Sequence, residues 1–207
     1  MRLFVTAIGT DSGKTVASAM LTEALKADYW KPIQAGSPTD SETVRSLVDN
    51  PTSRILPEGI ILKTPASPHA AAIIDQVMLT ADMFVLPDSS SLIVEGAGGL
   101  LVPINDRETI LDMALGFNIP IVLVADLYLG SINHTLLSCE MLKRTGAKVE
   151  GIIFNGEPNA ESQRIIELRS DFRILYHILP QEKIDSEAIK ALATDFIDKN
   201  PDYAKYA

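Results

Sequence analysis

Gly9-Thr10-Asp11-Ser12-Gly13-Lys14-Thr15 follows directly on the apolar run Leu3-Phe4-Val5-Thr6-Ala7-Ile8. A short strand thus leads into a glycine-bearing loop that ends in Gly-Lys-Thr and opens a helical pattern. Backbone N–H groups in such a loop, together with a helix N-terminus, form a cradle for phosphate. The spacing places Lys14 at the β/γ-phosphates and the Thr15 hydroxyl on a magnesium ion. The strict motif asks for glycine five residues before Gly13, where this chain has Ile8. The tripeptide alone reads equally as a loop with a solvated lysine, and it is the strand–loop–helix context that points to nucleotide phosphate.

Outward from that loop, apolar runs of strand length alternate with longer amphipathic stretches. Strands are expected at Leu3–Ala7, Tyr29–Lys31, Ser91–Glu95, Ile119–Ala125, Val149–Phe154 and Arg173–Ile178. Helices are expected near Lys14–Lys26, Ser41–Val48, His69–Gln76, Ile110–Phe117, Ile132–Thr145, Ala160–Ser170 and Asp185–Lys199. Continuous β-branched runs such as Ile119–Val124 suit parallel strands buried on both faces. The alternation predicts an α/β fold, a doubly wound and mostly parallel sheet with helices on both faces. Residues 49–68, rich in Pro and Ser, read as a long excursion, and 200–207 as a frayed end.

The 207 residues and 46% hydrophobic content suit one domain over 1–207. With 27 acidic against 18 basic residues the net charge is −9, and no basic run exists. Binding to nucleic acid through phosphate neutralisation is therefore not expected. Cys139 stands alone, which fits a reducing compartment. No signal-peptide pattern is present, and no apolar run approaches the ~20 residues of a membrane helix. The expected location is cytoplasmic, with no membrane contact.

Ligands of open α/β sheets gather at the carboxyl ends of the strands. Beyond the phosphate loop, those ends carry Lys31-Pro32-Ile33-Gln34-Ala35-Gly36, Glu95-Gly96-Ala97-Gly98-Gly99, Asp126–Asn133 and Asn155-Gly156. Lys31 by itself reads equally as a surface lysine. Glu95 closes the apolar run Leu92-Ile93-Val94, so a carboxylate stands near Thr15, placed to hold Mg²⁺ directly or through water.

The order Gly-Lys-Thr, Lys-Pro-Ile-Gln-Ala-Gly, Ser-Pro-His, Glu-Gly-Ala-Gly-Gly and Leu-Gly-Ser-Ile-Asn-His resembles the dethiobiotin synthetases of biotin biosynthesis, from residue 2 to roughly 180. Glu95–Pro103 and Leu129–His134 carry most of the specificity. The resemblance implies a P-loop NTPase-like homodimeric ligase. Its reaction is the ATP- and Mg²⁺-dependent conversion of 7,8-diaminopelargonic acid and CO₂ into dethiobiotin, ADP and phosphate. A carbamate and a carbamic–phosphoric anhydride are the implied intermediates. Phosphoryl transfer of this kind asks chiefly for positioning and charge neutralisation.

Residue by residue, the resemblance makes Lys14 and Lys31 catalytic and Thr15, Asp40 and Glu95 the magnesium set. Asp40 also reads as an N-cap or turn residue in Thr39-Asp40-Ser41. ATP contacts are implied for Thr10, Asp11, Ser12, Gly13, Lys14, Thr15, Val16, Asp40 and Glu95, then Gly96, Ala97 and Gly98. Asn155 matches the adenine contact, and Leu179, Pro180 and Gln181 fall in the later nucleotide loop. Substrate contacts are implied for Thr10, Asp11, Lys31 and Ala35. The substrate carboxylate is assigned to Gly130, Ser131, Ile132 and Asn133 of the second subunit, at a helix N-terminus suited to an anion. Ser131 also reads as an N-cap, and both roles are compatible. The apolar positions Ile132, Leu136, Leu137, Met141 and Leu142 recur at helical spacing, wide enough to cover the sheet and meet a partner.

Three positions depart from the family pattern. Ala7 stands where relatives have glycine, so the turn must avoid φ > 0 there. Asp11 replaces a Glu, one methylene longer. Ala35 replaces a hydroxyl residue. These departures fall on the substrate contacts more than on the ATP site. Two other readings stay open from the loop alone. One is an amide-forming ligase of the same group, such as a cobyrinate amidase-like protein, which would need a further glutamine-hydrolysing domain. The other is a partitioning-type ATPase, which typically carries a second lysine early in the loop, where positions 8 to 12 have none.

Overall fold

A computed structural model describes residues 1–206. The chain runs β1 (Arg2–Ala7), α1 (Lys14–Ala24), β2 (Asp28–Trp30), β3 (Ile33–Ala35), α2 (Asp40–Leu47), β4 (Ile60–Leu62) and α3 (Pro68–Ile74). It continues through β5 (Leu92–Gly99), α4 (Ile110–Phe117), β6 (Ile121–Asp126), α5 (Ser131–Arg144), β7 (Val149–Asn155), α6 (Ala160–Ser170), β8 (Ile174–Ile178) and α7 (Ser186–Lys199). Six strands form one sheet in the order β2-β5-β1-β6-β7-β8, with every pairing parallel.

Side chains alternate across that sheet and fill two separate cores. Leu3, Val5, Val122, Val124 and Ile153 pack under α1, α2 and α7, while Phe4, Leu92, Val94, Leu123 and Phe154 pack on the opposite face. Both faces are apolar because helices cover both, as the unbroken β-branched runs demand. All six predicted strands and all seven predicted helices are present, most shifted by a residue or two at their ends.

Three features differ from expectation. The segment 49–68 is not wholly irregular, since β4 pairs in parallel with β3 as a separate two-stranded sheet. Each is only three residues long, and neither was expected from the sequence. β5 continues past Glu95 to Gly99, where pairing with β1 resumes after a break in register, Ala7 lying opposite Gly99. The end expected to fray folds as a 3₁₀ helix over Pro201–Tyr206, held by buried Tyr203, while residue 207 lies outside the described residues.

On α5, the buried stripe is Ser131, Thr135, Cys139 and Leu142. Leu136 and Met141 are only half-buried, and Leu137 is exposed. Apart from Leu142, small and polar residues therefore take the core side, and the larger apolar ones lie around the rim. Burial pushes the Cys139 thiol up to about 11. Since the thiolate is the reactive form, maleimide at pH 8 should leave the native protein unlabelled over a period that fully labels it in denaturant. Comparable labelling in both states would show that Cys139 is accessible.

Candidate active site

Strand β1 delivers the chain at the carboxyl edge of the sheet, where residues 8–13 turn into α1. Two positions of this turn are left-handed, Asp11 with φ 60° and Gly13 with φ 90°, while Ala7 stays in the strand. Asp tolerates this region better than most residues. Gly13 is required on two counts. Its φ disfavours a side chain, and a Cβ there would run into the Asn155 side-chain amide. Asn155 Nδ2 in turn donates to the Ser12 carbonyl at 3.2 Å, tying the end of β7 to the loop.

Lys14 folds back over the loop and donates to the Gly9 carbonyl at 3.0 Å. Burial, and then the charge of Lys31, lower its pKa below the ordinary lysine value. Thr15, one residue into α1, directs its hydroxyl at two carboxylates: Oγ1 lies 3.1 Å from Asp40 Oδ1 and 3.1 Å from Glu95 Oε1. The N-cap of α2 is Thr39, which closes a capping box with Glu42. Asp40 is therefore the first helical residue, and its carboxylate is free to face Thr15 and Lys31.

Lys31 sits just past β2 and is almost wholly buried. Its ammonium lies 2.5 Å from Asp40 Oδ2 and 2.9 Å from Glu95 Oε1, and donates to the Gly96 carbonyl at 3.2 Å. Burial alone would lower its pKa, but Glu95 and Asp40 outweigh that and raise it. Such a buried charge cluster persists only because each member has partners.

Two members were not singled out from the sequence. Tyr29, fully buried, donates its hydroxyl to Glu95 Oε2 at 3.1 Å. Burial first, and then Glu95, raise its pKa well above the usual tyrosine value, so it remains a neutral donor. Gln34 accepts from the Asp40 amide at 3.1 Å and donates to the Gly36 carbonyl, which sets the turn into α2. Tyr29 lies in β2, two residues before Lys31. Gln34 was visible only as part of a family-like string.

Lys14, Thr15, Lys31, Gln34, Asp40 and Glu95 line a cleft of about 640 Å³ that also takes in Thr10, Asp11, Gly13, Val16, Ala35, Ala97 and Gly98. The segment Pro65–Pro68 forms a further wall, marked in the sequence only by the family-like Ser-Pro-His string that begins at Ser67. Thr15 and Asp40, 25 residues apart in sequence, are thus brought into contact in space. A hydroxyl and two carboxylates around one point are hard oxygen donors of the kind Mg²⁺ takes, so the residues present fit that ion. Among the described residues, no cluster of three or more His, Cys, Asp or Glu side chains offers another metal centre.

Other expected site residues lie outside this cleft. Asn155 touches the loop at Ser12 without lining the cleft. Leu179, Pro180 and Gln181 follow β8 at the same sheet edge, with Gln181 Nε2 bonded to the Leu179 carbonyl. Gly130–Asn133 form the start of α5 beyond β6 and do not line the cleft within one chain. The imidazoles of His69 and His134 contact Ser67 and Tyr128. No described helix is long and apolar enough to cross a membrane.

The model of the AAA domain family matches residues 1–188. The chain is 50% identical over 200 residues to the ATP-dependent dethiobiotin synthetase BioD of Cytophaga hutchinsonii, covering 95% of this chain and 97% of that one. It is 44% identical to the protein of the same name from Christiangramia forsetii, covering 93% and 94%. Among solved structures it resembles the septum site-determining protein MinD of Pyrococcus horikoshii complexed with Mg-ADP, with TM-score 0.58, 14% identity and coverage of 100% and 99%. A ParA family ATPase from Chlorobium tepidum gives TM-score 0.57, 12% identity and coverage of 97% and 92%. At such low identity the solved structures show a shared P-loop fold and nothing further.

Proposed function

The chain belongs to the ATP-dependent dethiobiotin synthetase family, and on that premise we propose that it closes the ureido ring of dethiobiotin from 7,8-diaminopelargonic acid, CO₂ and ATP by way of a carbamate and its mixed phosphoric anhydride. The observation that supports this reading is the convergence of Lys14, Lys31, Thr15, Asp40 and Glu95 from four separate segments on one cleft. A carbamate is a poor electrophile, and phosphorylation turns its oxygen into a leaving group. The protein's task is to hold the partners in line and to offset charge on the transferring group.

In this proposal the amides of the loop and Lys14 bind the β- and γ-phosphates. Thr15, Asp40 and Glu95 hold Mg²⁺, whose charge when bound offsets that of the phosphates. Lys31 swings from its carboxylate partners to the oxygen shared by carbamate and phosphoryl group. Asn155 and Leu179–Gln181 contact the adenine, and Thr10, Asp11 and Ala35 face the diamine end. The diamine carboxylate lies on the Gly130–Asn133 amides of a second subunit. Leu129, exposed just before that helix, and Leu137, exposed on it, supply apolar surface for the two-subunit contact.

Incubation with the diamine, bicarbonate and ATP·Mg²⁺ should yield a product of the ureido mass together with ADP. ADP release without that product would refute the substrate assignment. For the metal set, Glu95→Gln keeps size and removes charge. The variant should need about tenfold more Mg²⁺ for half-maximal rate while binding ADP normally. An unaltered magnesium dependence would exclude Glu95 from the metal's surroundings.

A further inference from the structure

We infer that Tyr29 is a positioning residue for the carboxylate of Glu95, fixing which of its oxygens faces the metal. The inference rests on the reading of Thr15, Asp40 and Glu95 as a metal set, and adds a member that stands one layer behind it. Strands β2 and β5 are neighbours, with Tyr29 opposite Ile93. Glu95 is two residues further along β5 and so projects from the same face as Tyr29. The two side chains meet beneath α1, and both are fully buried.

The carboxylate has two oxygens with different partners. Oε1 takes the Thr15 hydroxyl and the Lys31 ammonium, at 3.1 and 2.9 Å. Oε2 has the Tyr29 hydroxyl, at 3.1 Å, as its hydrogen-bond donor. The last torsion of a glutamate is broad and roughly twofold, so nothing intrinsic to the side chain selects one orientation. A donor fixed behind Oε2 does select one. The Tyr29 ring is packed in the core among Leu3, Val5, Ile93 and the α1 residues, so its hydroxyl is held in place by the fold. Partners of this kind, bonded to the distal atom of a metal-binding side chain, typically change metal affinity 10–100-fold. A purely structural tyrosine would also fill this space, but it would act on stability and not on the metal.

Tyr29→Phe keeps the ring and deletes the donor. The measurement is Mn²⁺ binding, followed by electron paramagnetic resonance, to the ADP complexes of wild type and variant, alongside ADP binding without divalent ion. The expected result is Mn²⁺ affinity about tenfold weaker, with metal-free ADP affinity within about twofold of wild type. Equal Mn²⁺ affinity would overturn the inference, as would an equal loss in metal-free ADP binding. Combining Tyr29→Phe with Glu95→Gln guards against a merely less stable variant. Shared action predicts that Tyr29→Phe adds little to the Glu95→Gln loss, whereas independent damage would add in full. If wild type bound no Mn²⁺ with ADP, the metal reading and this inference would fall together. Failure to form the ureido product with Mn²⁺ coupling intact would refute only the substrate assignment.

Discussion

Replacing Lys31 with alanine is expected to slow turnover by about 10²–10³-fold, the usual loss when a preorganised charge at the reacting atoms is removed. ATP and ADP affinities should stay within about threefold, because the phosphate loop and Lys14 hold the nucleotide. Lys14→Ala should instead weaken nucleotide binding and turnover together. A steady-state rate within about twofold of wild type, worth only ~0.4 kcal/mol of barrier, would remove Lys31 from the reaction. The same substitution carries a stability signature. Asp40 and the fully buried Glu95 would lose their shared cation. Breaking a buried pair on one side costs on the order of 3 kcal/mol, and partial exposure of Asp40 favours the lower end. Added Mg²⁺ should restore part of the lost thermal stability. The raised Lys31 pKa fixes the sign of the pH effect. Its contribution is fully present below the ordinary lysine value and is lost only as pH rises through the higher folded one, so the deficit should be flat from neutrality to about pH 9.

Mixing two inactive variants should restore activity if the site is shared between subunits. Ile132→Pro removes a backbone donor in the first turn of α5, so the diamine KM should rise while ATP binding is spared. Lys14→Ala disables the loop of its own subunit. A mixed dimer then pairs one intact loop with one intact α5 start. Random exchange should recover about a quarter of wild-type activity, since half the dimers are mixed and each holds one whole site. No recovery after verified subunit exchange, or a fully active monomer in sedimentation, would refute the shared site. The start of α5 and the cleft are separate within one chain, which is what makes the experiment decisive.

Periodicity and punctuation carried most of the architecture. Long apolar runs, helical spacing and the strand–loop–helix at residues 3–15 sufficed for six parallel strands, seven helices and the phosphate loop. These are local properties, set by residues close in sequence, and a single chain displays them. Lys14, Thr15 and Glu95 were legible for the same reason, each standing at the end of a readable strand or the start of a readable helix. Lys31 alone was ambiguous, and Asp40 read equally as a cap.

What the sequence by itself determined is therefore the layering, the sheet edge that holds the site, and the family string that runs along it. Only the tertiary structure decided the partnerships. It made Thr39 the cap and so released Asp40, joined Lys31 to two carboxylates 9 and 64 residues away, and set Tyr29 behind Glu95. It also paired β3 with β4 and buried Ser131, Thr135 and Cys139 along with Leu142, in place of Leu136, Leu137 and Met141 of α5. The physical reason is that such contacts depend on which strands are neighbours and on how each side chain is turned. Hydrogen-bond and charge partners are chosen over distances of about 3 Å, and that choice is made after the chain has folded.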